Sequence, residues 1–344
     1  MWRHIKKGST VDLIKSIVSI VLFIPVACYA ERPDIDLMPR ACKSMHFKQI
    51  SELDQVVIHG SFQVHYATRG SQKLGNLHDR NKNDIPDVIE DLILQLQASE
   101  QLYSEILGLT PPLHQPRYAN AHHINVFVVA MKKGNGLAFD EVVNDRKGGD
   151  RPDTGCAIRM YISRDLEPSS NVTPAHELFH LYQYGYAMFK RSWYLEGLTR
   201  LLEEPFVGER KRRQATKNSA PLACHDVLSE SYSASRYWRN RSETLDLEPI
   251  DIPNDLLSLR YVDGRPVFKE QSINSGKFIS SVLESLQRAS ARSSESADLP
   301  LYRWPEKTQR SSQFDQKICA AIEETVRQLD GGVTLRPPTQ MSAQ

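Results

Sequence analysis

The run Thr173-Pro174-Ala175-His176-Glu177-Leu178-Phe179-His180 constrains the fold more than any other stretch of this chain. Two histidines four apart on a helix are rotated by about 400°, so both imidazoles leave one face and can bind one ion. The spacing demands a helix, and a helix start is written beside it. Thr173 suits an N-cap and Pro174 the first helical position. Glu177 follows the first histidine and sits beside the metal rather than on it, where its carboxylate can take a proton from metal-bound water. The competing reading is an ordinary surface or core helix that carries two histidines.

Tetrahedral catalytic zinc takes three protein ligands and leaves one position for water. A metzincin continuation needs Gly at 183 and His at 186; the chain has Gln183 and Tyr186, which excludes that class. Trp193-Tyr194-Leu195-Glu196-Gly197-Leu198 resembles the W-x-x-E-G segment of the gluzincins, thermolysin-like zincins whose third ligand is a glutamate on a second helix. The resemblance implies Glu196 as that ligand. Leu195, Leu198, Leu201 and Leu202 have helical spacing, so Glu196 would face the first helix and Glu203 and Glu204 solvent. Glu203, Glu204 and His225 stay open as alternatives. The spacing is shorter than in thermolysin, which implies a divergent family.

The likeness extends over roughly residues 55–240, to a group of secreted bacterial metalloproteases. Phe62-Gln63-Val64-His65-Tyr66, then Asp79-Arg80-Asn81-Lys82-Asn83-Asp84-Ile85-Pro86-Asp87, resemble their strand and D-x-N-x-N-G-x-P-D loop before a long helix. Gly155 to Ser163 is similar to their strand before the zinc helix. In that loop Asp79, Asn81, Asn83, the Ile85 carbonyl, Asp87 and Glu90 fall at positions 1, 3, 5, 7, 9 and 12 of an EF-hand-like site. Oxygen ligands at that spacing suit calcium. Asp84 stands where a left-handed Gly is usual, and the competing reading is a polar turn whose Asp87 caps the next helix.

Net charge is +1, which argues against a nucleic-acid partner. The first thirty residues read as an export signal: a basic start, an apolar run from Ser16 to Ala27, and small residues at Cys28 and Ala30. That run is too short to span a bilayer comfortably. Four of the 43 basic and one of the 42 acidic residues lie there, leaving 39 against 41 and a charge of −2. Cys42, Cys156, Cys224 and Cys319 then remain, an even number that suggests two disulfides in an exported chain. Three connectivities are open. Proximity of domain termini favours Cys42 with Cys319, and Cys156 with Cys224 by elimination.

The expected organisation is 1–30 signal peptide, 31–115 strand, calcium-like loop and long helix, 116–245 zincin core, 246–330 helical region, and 331–344 disordered tail. Val56 to Thr68 alternates as a strand or hairpin, with His59 and His65 structural. Pro86 to Leu109 reads as one helix with Ile89, Leu92, Ile93, Leu96, Tyr103 and Ile106 inward. Ile124 to Met131 reads as a buried strand, with His122 and His123 in a loop before it. Lys133 to Pro152, rich in Gly, Asn and Asp, is expected as a surface loop. Ala157 to Ser163 is a second strand; by the resemblance it is the cleft edge, whose unpaired backbone aligns a peptide. Glu209 to Arg213 is a charge run expected in a solvated loop, and Tyr232 to Trp238 a helix near the site. Ile273 to Gln287 and Asp315 to Leu329 look helical, with Ser290 to Ser296 breaking them apart.

The expectation is therefore an α+β, zincin-like fold: a small mixed sheet on the zinc-binding helix and a mainly helical C-terminal half. Function follows as an exported zinc peptidase acting on peptide or protein substrates. His176, His180 and Glu196 would hold zinc, and Glu177 would be the base. Tyr232 and Tyr237 are candidate oxyanion donors by the resemblance. Two alternatives stand beside it: a non-catalytic exported metal-binding or adhesion module, and a zinc amidase acting on cell-wall amides.

Overall fold

The computed structural model describes residues 42–44, 48–144, 155–208, 222–245 and 247–331. The expected signal peptide, the Glu209–Arg213 run, the 145–152 part of the expected loop and the tail from 332 lie outside them. After a two-residue strand β1 (Lys43–Ser44) and one helical turn α1 (Lys48–Ser51), the alternating 56–68 stretch folds as a hairpin. Its strands are β2 (Gln55–His59) and β3 (Phe62–Tyr66), and Gly60 takes the turn at φ +55. Helix α2 (Asp87–Gln101) continues as a π-helical turn over Leu102–Ile106. It stops at Gly108, which is left-handed at φ +67. Ile89, Leu92, Ile93, Leu96 and Tyr103 are buried, and Ile106 is partly so.

Strands β4 (Ala121–Val129), β5 (Gly136–Asn144) and β6 (Cys156–Ser163) complete a six-stranded sheet ordered β1-β5-β6-β4-β3-β2. The neighbours β3, β4 and β6 run parallel; β5 is antiparallel to β6, and β2 to β3. Along β4, Ile124, Val126 and Val128 enter the main core, whereas Phe127 and Val129 join Leu53 and Ala67 in a smaller cluster. Alternate residues leave opposite faces, so both sides of this strand are covered.

Helices α3 (Thr173–Tyr186), α4 (Ser192–Leu202) and α5 (Glu204–Val207) follow. Then come α6 (Ser235–Glu243), a small pair β7 (Ile250–Asp251) and β8 (Ser272–Ile273), and α7 (Asn254–Leu257) between them. Helices α8 (Gly276–Ser296), α9 (Glu306–Gln309) and α10 (Asp315–Asp330) end the described chain. α2 and α3 pack side by side against the sheet, α4 lies on α3, and α6 on α4. One apolar core runs from Phe62 through Phe179 and Trp238 to Ile322. This is an α+β architecture with a small mixed sheet and a helical second half.

Several local expectations are corrected. The cysteines pair as Cys42–Cys156 and Cys224–Cys319, with Cα atoms 5.6 and 5.8 Å apart. β1 lies beside β5, next to the start of β6, so Cys42 meets Cys156 rather than the far helix. Gly136 to Asn144 is a strand, not a loop. Its apolar Leu137, Phe139, Val142 and Val143 outweigh the polar composition of the wider window. β6 is consequently an interior strand, paired on both sides, and β5 takes the place next to α3. His122 and His123 begin β4 instead of preceding it.

Ser290 to Ser296 does not break the helix. Ser293 donates to Ala289 O (2.8 Å), Ser290 accepts from the Met188 N–H (3.0 Å), and Ser294 accepts from Trp304 Nε1 (3.0 Å). Small hydroxyls satisfied in this way tolerate burial in a helix.

Gly197 shows how closely α4 and α6 approach. A Cβ there would lie 2.8 Å from the buried Trp238 indole and 2.9 Å from Ala234 Cβ. Gly197→Ala gains about 1 kcal/mol of helix propensity, but overpacking a rigid ring costs about 1–3 kcal/mol. We expect a net loss of about 1 kcal/mol, read as a lower denaturant midpoint. A higher midpoint would show that the indole yields freely.

Candidate functional site

Helix α3 is buried from Pro174 to Tyr186. A helix with no solvent side needs each polar group placed. Its start is fixed by neighbours rather than by a Thr173 cap. Asn171 Oδ1 accepts the Thr173 N–H (3.0 Å), and Gln95 Oε1 accepts the Ala175 N–H (3.2 Å).

The ligating atoms of His176, His180 and Glu196 all lie within 4.8 Å of one another, so the group can hold a metal ion. The two imidazoles stand 4.6 Å apart, nearly perpendicular. Glu196 Oε2, presented by α4, is 3.1 Å from His176 Nε2 and 3.5 Å from His180 Nε2. Burial opposes charge on both partners, but their mutual hydrogen bonds win. They hold the Glu196 carboxyl well below its usual range. Together with Glu203 they push His176 up to about 9.

Glu177 is 7 % exposed and lies under the start of β5. A Cβ on Gly136 would stand 2.5 Å from Glu177 Cγ, so only glycine lets the strand come this close. Burial pushes the Glu177 carboxyl up, partly offset by the nearby histidines and the Ala138 N–H that donates to it.

Two further side chains, Glu203 and Gln183, support the histidines. Glu203, expected in solvent, is buried, and its Oε1 pairs with His176 Nδ1 at 2.7 Å. Its other oxygen accepts from Arg200 Nη1 at 2.6 Å. Gln183 Oε1 meets His180 Nδ1 at 2.7 Å; that oxygen also accepts from Thr199, while the amide donates to Leu195 O. The signals were periodic ones: Glu203 is two helical turns beyond Glu196, and Gln183 one turn beyond His180. Glu204 pairs with Arg239 (2.8 Å), and His225 is exposed beside Asp226. Neither belongs to the group.

Tyr232 comes to the site and Tyr237 does not. The half-exposed Tyr232 ring is 5.9 Å from His176, and burial followed by the Glu196 charge pushes its phenol up to about 12. Tyr237 is buried against Trp193 and Trp238, beside Arg241 and Glu323.

The EF-hand-like loop is a compact, separate unit. Asp84 adopts the left-handed conformation at φ +69, as position 6 requires, and Lys82 does so at φ +60. Asp79 accepts the backbone N–H groups of Lys82, Asn83 and Asp84, and Glu90 accepts from the Asn81 and Asn83 amides. Ile85 donates its N–H to Asn83, whereas Asp87 turns back to the Arg80 N–H and His78.

No protein-family model matches this chain, and no curated protein matches it.

Outer-shell partners of metal-ligating histidines typically contribute ten- to a hundredfold in affinity. Glu203→Ala and Gln183→Ala are each expected to weaken metal binding by about that factor, measured by competition with a chromogenic chelator. Wild-type affinity in both would remove these residues from the site.

Proposed function

We propose that this chain is an exported, zinc-dependent peptidase with a zincin-like fold. The observation that carries the reading is Glu177 buried beside the three-member group His176, His180 and Glu196, directly under strand β5. Two imidazoles and a carboxylate suit zinc better than calcium or magnesium, which prefer oxygen alone. A structural zinc site usually has four protein ligands; among the described residues this group has three. When bound, zinc supplies Lewis acidity and lowers the pKa of a water.

The chain's own residues supply the rest. Glu177 accepts the proton of the attacking water at its carboxylate and passes it to the leaving amine. Tyr232, whose ring lies 5.9 Å from His176, is our candidate to donate to the oxygen of a carbonyl under attack. On its outer side β5 pairs with β1 only at Val143 and Asn144 among the described residues. The Gly136–Phe139 edge can therefore add a substrate strand. Tyr237 is not assigned a part.

Export rests on the amino-terminal signal together with the two disulfides. Among the described residues no helix is long and apolar enough to cross a membrane. We further propose calcium for the Asp79–Glu90 loop, as a structural ion that fixes the start of α2.

Glu177→Gln keeps size but cannot accept a proton. Zinc should stay stoichiometric while peptide hydrolysis falls about a hundredfold to ten-thousandfold. His176→Ala, His180→Ala or Glu196→Ala should lose zinc and activity together. Full activity in Glu177→Gln would refute the assignment, and a zinc-loaded wild type that cleaves no peptide would favour a binding module. For the loop, calcium should raise the melting temperature of the wild type and scarcely move Asp79→Ala; equal shifts would leave it a turn.

A further inference from the structure

We infer that the Tyr184 hydroxyl binds a backbone carbonyl of the peptide substrate, further along the β5 edge than the bond facing Glu177. The inference rests on the peptidase reading and names a substrate contact of that same site.

Helix α3 carries three tyrosines near its end, and their hydroxyls differ in what they meet. Tyr182 Oη lies 2.5 Å from Ser104 Oγ, and Tyr186 Oη accepts the Thr110 N–H at 2.9 Å. Both tie α3 to the π-helical turn after α2 and the segment that follows it. Tyr184 is only 8 % exposed, yet no described residue hydrogen-bonds its hydroxyl. Unlike the sealed phenols of Tyr118 and Tyr194, its oxygen keeps accessible surface. A buried phenol ordinarily finds a partner, because leaving it without one is costly.

Tyr184 stands one turn beyond His180, on the helix face that carries both histidines. Its ring stacks on the His180 imidazole at 6.0 Å and 18°. The Lys190 ammonium lies 5.2 Å from the ring centroid, and Arg117 Nη1 donates to the Tyr184 carbonyl (2.6 Å). Ring and backbone are both held, so the hydroxyl is a donor already oriented, which lowers the cost of binding. Tyr232 borders His176 at the other end of the histidine pair. Burial, then the charges of Asp140 and Glu177, push the Tyr184 phenol well above its ordinary range. Those carboxylates repel an anion, so the acceptor that suits this hydroxyl is neutral.

Strand β5 shows which acceptor comes there. Gly136 lies over Glu177, and Asp140 accepts from Lys190 (2.7 Å) beside Tyr184. About 10 Å of helix separates Glu177 from Tyr184, and about 13 Å of strand separates Gly136 from Asp140. Helix and strand therefore run alongside each other, and a peptide added to the β5 edge passes Glu177 and then Tyr184. Every residue of such a strand brings a carbonyl. The one that meets Tyr184 lies roughly two or three residues from the bond under attack.

The test is calorimetric binding of a panel of acetylated, amidated octapeptides to zinc-loaded Glu177→Gln chain, where no turnover intervenes. Tyr184→Phe in that background should weaken binding about five- to tenfold, the scale of one hydrogen bond. Its zinc content and denaturant midpoint should stay unchanged, since the hydroxyl has no partner among the described residues. Tyr182→Phe removes a hydroxyl from the same helix; it should lower the midpoint and leave peptide affinity alone. Shortening the peptide from one end should abolish the Tyr184→Phe penalty, and shortening it from the other should preserve it. Equal affinities with and without the Tyr184 hydroxyl, or an equal loss in Tyr182→Phe, would overturn the inference and leave the peptidase reading standing. Peptide binding by no form of the chain would overturn both. A hydroxyl-dependent affinity in a chain whose wild type hydrolyses none of the panel would count against the peptidase reading alone.

Discussion

Two imidazoles on a helix that has no solvent-facing side are the constraint on which the rest of the molecule depends. A buried polar group without a partner costs about 1–3 kcal/mol, and α3 carries His176, Glu177, His180 and Gln183 in its interior. Helix α4 answers most of them. It delivers Glu196 to both histidines, Leu195 O and Thr199 to Gln183, and at its end Glu203 to His176. The site is the polar seam between two helices.

That seam is positioned from behind. Trp193 of α4 stacks on Trp238, Tyr237 meets both rings edge-on, and Trp238 Nε1 donates to Trp193 O (2.9 Å). Gly197 lets the indole lie against the helix backbone. Trp193 Nε1 and Arg191 Nε both donate to Asp315 at the start of α10 (2.9 and 2.7 Å). The carboxyl-terminal helices therefore set the height at which Glu196 meets the histidines. Cys224–Cys319 joins the turn before α6 to α10 covalently and restricts how far they can separate in the unfolded chain.

Strand β5 is secured by different means. Its register with β6 shifts between Phe139 and Val143, so the ladder alone does not hold it there. Asp140 turns inward at that point and takes Arg117 on one side and Lys190 (2.7 Å) on the other. Lys190 continues to Glu306 on α9 (2.6 Å) and lies over the ring of Tyr184, which stacks on His180. Breaking one member of such a buried set leaves an uncompensated charge. The distance between Gly136 and Glu177 is thus tied through charged side chains to the C-terminal half.

Local patterns were legible from the chain alone wherever one element decides them. The four-residue histidine spacing, the leucines of α4, the apolar run of β4 and the long α2 all follow from periodicities of one helix or strand. Glu196 was legible through its motif, and Glu203 and Gln183 carried the right spacing without being read from it. Tertiary structure decided what depends on which elements become neighbours. It joined Cys42 to Cys156, made β5 rather than β6 the strand next to α3, buried Glu203, and sent Tyr237 into the aromatic stack. Each outcome turns on long-range packing, where the burial of several side chains outweighs the preference of a short segment for loop or solvent. A Gly- and Asn-rich window became a strand because β6 offered it a ladder and Glu177 needed a glycine above it.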